Sequence, residues 1–135
     1  MAPHTARFVA EWFLAWAEER DDDLSNLKLN KLLYYAQGLH LATTGSPLFS
    51  EDIYAWSQGP VLPEVFHAFA EYGRAPIDPM REVRAGFNWD HYKDVEPTLL
   101  DVDYLYGSYS AWALREQTRR ETPGWSTFLL TTGMR

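Results

Sequence analysis

The chain has no cysteine, so neither a disulfide framework nor a thiolate-ligated metal site can form, and the composition suits a reducing compartment. It has no apolar run near the 18 or so residues that a membrane-spanning helix needs. Its first residues also lack the basic stretch and apolar core of a signal peptide, and a cytoplasmic protein is the expectation. No P-loop, GxGxxG or GxSxG pattern occurs, which removes the common phosphate cradles and the nucleophile elbow. His4, His40, His67 and His91 form no HExxH motif and no paired-histidine helix spacing. No catalytic residue, metal site or cofactor is therefore expected. Basic residues are scarce, 12 Lys and Arg against 19 Asp and Glu, for a formal net charge of −7. That balance opposes the basic footprint of a protein that grips nucleic-acid phosphates.

Large rings, by contrast, abound: six Trp, seven Phe and eight Tyr in 135 residues. The length suits one domain spanning residues 1–135, and a domain of about 150 residues buries roughly 68–70% of its unfolded surface. The rings are read mainly as core, with a share left for a partner surface, where Trp and Tyr are enriched. The densest structural signal is Leu27 to His40. Leu29, Leu32, Leu33, Ala36 and His40 recur at three- and four-residue spacing and define a buried helical face. Leu27, Tyr34, Tyr35 and Leu39 add apolar surface on other flanks, so this helix, about 25–43 with Ser25 as N-cap, is expected to be central.

The remaining segments arrange themselves around it. Phe8, Val9, Trp12, Phe13 and Trp16 predict a first amphipathic helix ending near Arg20, before Asp21-Asp22-Asp23. Leu48-Phe49 and Ile53 to Trp56, separated by Ser50-Glu51-Asp52, predict a small β-hairpin over about 48–57. Gln58-Gly59-Pro60-Val61 then reads as a turn. Pro63 opens a third helix with Val65, Phe66, Phe69 and Tyr72 on its apolar side and Gly73 at its end. Arg74 to Glu96 has no sustained period and is read as a long loop, a kind of segment that is often functional. Pro97 opens a helix ended by Gly107, Ser110 caps another, and Trp125, Phe128 and Leu129 suggest a final helical turn. The fold class is thus mainly α, a helical bundle around a central helix with a small hairpin.

Glu51 with Asp52, or Asp101 with Asp103, could be imagined as acid/base pairs, but turns and first helical turns commonly carry such acids. His40 reads as a hydrogen-bonded core histidine, since burial without a partner is costly. The best surface candidates are Trp56, Gln58, Pro60 and Val61, at the hairpin exit, where a rigid turn can present side chains to another protein. The competing reading is that Trp56 fastens the hairpin to the central helix and Gly59-Pro60 only makes the turn. Exposed sides of the central helix around Lys28, Lys31 and Tyr35, or the Arg74 to Glu96 loop, are the alternative surface.

The runs Leu29-Asn30-Lys31-Leu32-Leu33-Tyr34-Tyr35-Ala36-Gln37-Gly38, Pro47-Leu48-Phe49, Ala55-Trp56-Ser57-Gln58-Gly59-Pro60-Val61, Trp112-Ala113-Leu114 and Pro123-Gly124-Trp125 resemble, in order and spacing, the Panacea domain. This is the SocA-like and GepA-like antitoxin domain of bacteria and phages. The resemblance spans roughly residues 7–130 and implies a mostly helical fold with a small β element. It also implies an antitoxin role in two-gene toxin-antitoxin operons, with a link to phage defence. Similar domains bind toxins directly, among them translation inhibitors acting on tRNA and membrane toxins, and one relative delivers its toxin to a AAA+ protease. The resemblance thus implies a cognate toxin as partner, neutralised by direct binding or by such delivery; chemical reversal of toxin damage is the remaining alternative. Many relatives carry a Thr-His pair where this chain has Thr118-Arg119, so that histidine has no counterpart here.

Overall fold

The computed structural model describes residues 4–120. Its elements run in the order α1 (Ala6–Glu19), α2 (Asn26–Thr44), β1 (Tyr54–Trp56), β2 (Gly59–Val61), α3 (Pro63–Ala68), a 3-10 turn (Ala70–Tyr72), α4 (Pro79–Glu82), a second 3-10 turn (Trp89–Tyr92), α5 (Glu96–Tyr106) and α6 (Ala111–Arg120). The final turn expected around Trp125, Phe128 and Leu129 lies outside the described residues. Among the described residues no helix is long and apolar enough to cross a membrane.

The central position of α2 follows from its sides being covered in turn. It packs against α1, α3, α5, α6 and β2. Leu29, Leu33, Tyr35 and Ala36 are fully buried and Leu32 and Tyr34 nearly so, a burial on several flanks that requires neighbours all round. The Ser25 hydroxyl accepts from Lys28 N at 3.3 Å. Gly45, left-handed at φ 77°, closes the other end with its N–H on Leu41 O at 2.9 Å. Helix α1 ends where the sequence predicts, through a paired closure: Asp22 N donates to Ala17 O at 2.8 Å and Asp21 N to Glu18 O at 3.0 Å. Asp21 supplies the left-handed residue at φ 55°.

A polar stripe fastens the middle of the chain to α2. Asn26, Asn30 and Gln37 fall within about 40° of one another around the helix. Asn26 Nδ2 donates to Phe66 O at 2.8 Å, and Asn30 Oδ1 accepts from Leu62 N at 2.9 Å. Gln37 Oε1 accepts from Leu48 N at 2.7 Å and Phe49 N at 3.2 Å, while its Nε2 donates to Phe49 O at 2.8 Å. Main-chain groups that would otherwise be buried without partners are satisfied this way.

Three expectations change. The hairpin is real but lies further along the chain: Tyr54 pairs with Val61, Ala55 with Pro60 and Trp56 with Gly59, around a two-residue tip of Ser57 and Gln58. Pro60, read as part of a turn, is a strand residue in a ribbon whose outer edge needs no donor, and Gly59 takes φ 113°. Leu48 and Phe49 are held by Gln37 and by a bridge from Phe49 to His4. The third helix is broken at Phe69, whose φ of −114° ends α3 before the 3-10 turn. Finally, Arg74 to Glu96 is ordered in pieces. Asp78 caps α4 through Met80 N at 3.0 Å, and Asn88 caps the second 3-10 turn through Asp90 N at 2.9 Å. Ile77, Tyr92 and Val95 anchor the segment in the core.

Candidate functional site

The start of α2, the hairpin tip, the segment after Gly73 and the start of α6 meet around a pocket of about 390 Å³. Its lining includes Leu27, Lys31, Gln58, Arg74 and Trp112. Each is placed by a local device. The capped first turn of α2 sets Leu27 and Lys31. The tight turn sets Gln58, whose Oε1 accepts from Ser57 Oγ at 3.1 Å. Arg74 is carried in by the bridge between Ser25 and Pro76 and by Ile77 N on Leu24 O at 2.9 Å. The Ser110 hydroxyl accepts from Ala113 N at 3.0 Å and starts α6, which presents Trp112 with 68% of its surface exposed.

The sequence-derived candidates sort clearly. Gln58 is exposed at the rim and Trp56 is half-buried. The Trp56 ring packs edge-on to Phe66 at 5.4 Å and near His67, so it fastens the hairpin to α3. Lys31 and Tyr35, expected on an exposed side, are 1% and 0% exposed. Tyr35 is stacked on Tyr106 at 3.8 Å. Lys31 is enclosed, with Nζ 3.4 Å from Leu27 O, and is one of the residues that line the pocket. Pro60 and Val61 are buried as well, because strand β2 lies against α2. Lys28 belongs elsewhere: its Nζ donates to Gly107 O. Burial lowers its pKa, against the raising influence of Asp22 and Asp103. Gln58 and Lys31 therefore share one site with Arg74, while Lys28, Tyr35, Pro60 and Val61 stand outside the pocket.

Trp112 stands outside the surface candidates that the sequence suggests, although it belongs to a family motif and to the helix that Ser110 caps. Its position just after a capping serine, with Leu114 buried and Trp112 itself bare, is the signal that separates the two faces of α6.

In each imagined acid pair one member has a structural partner that explains it. Glu51 Oε2 accepts from Ala6 N at 3.0 Å, an acid at the positive end of α1. Asp103 accepts from Trp16 Nε1 at 3.0 Å and pairs with Arg20. His40 Nδ1 lies 3.1 Å from Thr98 Oγ1, and burial lowers its pKa. It is a core histidine with a hydroxyl partner. Among the described residues no cluster of three or more His, Asp or Glu is placed to hold a metal ion.

Residues 29–126 match the family described as Antitoxin SocA-like, Panacea domain. The chain belongs to this family. Among curated relatives, Antitoxin SocA of Caulobacter vibrioides (strain NA1000 / CB15N) is 44% identical over 68 residues. That stretch is 50% of this chain and 36% of the relative, so the likeness spans about a third of the relative's length. No solved structure matches the chain. The matched span contains the hairpin tip, the segment after Gly73, the start of α6 and α2 from Leu29 onward, whereas the pocket residues Ser25 and Leu27 precede it.

Proposed function

We propose that this protein is an antitoxin that silences a cognate toxin by binding it directly, without chemistry of its own. Membership of the SocA-like Panacea family over residues 29–126 is the observation that carries this reading. The structure supports it with a surface suited to a protein partner: a bare tryptophan, an exposed amide and a cation around one concavity. Interfaces concentrate their energy in such aromatic and arginine anchors. Lys28, His40, Glu51 and Asp103 are engaged in hydrogen bonds, in ion pairs or in the core, which fits a binding module better than a catalyst.

The toxin is sought in the adjacent gene, as expected of a two-gene operon. Co-expression should restore growth, and the two chains should co-purify at fixed stoichiometry. Rescue at strongly substoichiometric antitoxin, with toxin intact and no complex, would refute direct binding in favour of an enzyme. Toxin that disappears only when a AAA+ protease is present would replace occlusion by delivery.

A further inference from the structure

We propose that the pocket between the hairpin tip and the starts of α2 and α6 receives a segment of the bound toxin that carries a carboxylate beside an apolar side chain. This rests on the direct-binding reading above and adds the chemistry of the partner.

The first support is local charge. The protein carries a net charge of −7, yet among the described residues lining this pocket the charged ones are Lys31 and Arg74, and none is acidic. Arg74 is exposed and makes no ion pair among the described residues. The second support is backbone polarity. Ser25 and Leu27 belong to the start of α2, and Ala111 and Trp112 to the start of α6. Both helices therefore direct the positive ends of their dipoles toward the pocket region, where they favour an anion. The third is the apolar wall of Leu27 and Trp112, which a bare ion would leave in water. At about 390 Å³ the space falls within the range of ligand pockets and takes a side chain as well as a carboxylate.

The same cations would attract phosphate, but the occupant is assigned to protein on electrostatic range. A nucleic acid brings a continuous run of negative charge against a surface whose sum is −7. A single carboxylate in a mixed-charge protein surface feels mainly the charges within a screening length of about 8 Å. A basic residue would instead meet Lys31 and Arg74 at close quarters.

The test is calorimetric titration of purified toxin, identified by the rescue experiment, into the parent antitoxin and the variants Arg74→Glu, Gln58→Glu, Gln58→Arg and Trp112→Ala. All three positions are exposed, so melting temperatures should stay near the parent value. Arg74→Glu, Gln58→Glu and Trp112→Ala should each weaken binding about tenfold or more, and Gln58→Arg should tighten it by about threefold. The opposite signs at Gln58 separate charge from bulk. If Gln58→Arg weakens binding as much as Gln58→Glu, or Arg74→Glu binds like the parent, the inference fails while direct binding stands. If the parent itself forms no complex, the direct-binding reading fails and this one with it. A second arm titrates inorganic pyrophosphate into antitoxin alone. A rise in melting temperature that Arg74→Glu abolishes, with toxin affinity unaffected by that variant, would overturn the proposal in favour of a small-anion site.

Discussion

Replacing Gln37 by methionine isolates the part of the fold that hydrophobic pattern does not explain. The two side chains are similar in length and shape, so the change removes hydrogen bonds with little change in packing. In the parent, one amide satisfies Leu48 N, Phe49 N and Phe49 O, and Leu48 and Phe49 are 0% exposed. Phe49 N sits at the longer distance of 3.2 Å, so only the other two groups are counted. Each buried main-chain group left without a partner costs about 1–3 kcal/mol, which gives a loss of about 2–6 kcal/mol. Against a total stability of about 5–15 kcal/mol this is a large fraction. For a chain of this size it corresponds to a melting temperature lower by about 7–21 °C. Thermal unfolding followed by circular dichroism reads the shift, and amide exchange at Leu48 should accelerate selectively. A variant that melts within about 2 °C of the parent, with Leu48 still protected, would refute the claim that this amide holds the segment.

Leu33→Asp should prevent folding, since a carboxylate would be buried on a fully enclosed side of α2; a native-like melting curve would contradict the central-helix description. Tyr92→Phe should cost about 0.5–1.5 kcal/mol, because the phenol donates to Phe8 O at 2.6 Å, and equilibrium urea unfolding would expose an unchanged midpoint as the contrary result. Burial, opposed by Asp94, lowers the pKa of His40 from 6.5. The unfolded chain therefore takes up the proton first, so the contribution of this group is complete above pH 6.5 and declines as the pH falls toward the lowered folded value. His40→Gln should flatten the fall of melting temperature between about pH 7.5 and about pH 5.5, and an unaltered slope would assign that fall to other groups.

The helices were legible because their signals are local and redundant. Ser25, Gly45 and the three- and four-residue spacing in Leu29 to His40 agree on the bounds of α2, and Ser110 marks the start of α6. The strands were harder. Pro60 lacks an N–H and reads as punctuation, and only the pairing with Ala55 shows that this edge needs no donor there. Lys31 was misplaced because a charge on a helix is normally at the surface; its burial depends on β2, α5 and α6 closing over α2, which no spacing within the helix reveals. The stripe of Asn26, Asn30 and Gln37 was present in the sequence as polar residues at repeating helical positions in an otherwise apolar segment. Counting apolar residues alone passes over it. Part of the site was legible: Gln58 and Arg74 come from segments singled out as candidate surfaces. Their meeting with Trp112 depends on the bridge from Ser25 to Pro76 and on where α6 starts, both of them tertiary facts.

That amide stripe grips Leu48, Phe49, Leu62 and Phe66 by main-chain atoms alone. Every amino acid except proline offers the same N–H and C=O, so these attachments do not read the side chains they hold. The tip at Ser57 and Gln58 lies between the anchored stretches and takes no part in any of the clamps. The clamps therefore hold whatever side chains stand at the tip, like a fixed holder for a changeable bit. For selection experiments aimed at new binding partners, the tip positions form the natural library, with Asn26, Asn30 and Gln37 kept constant.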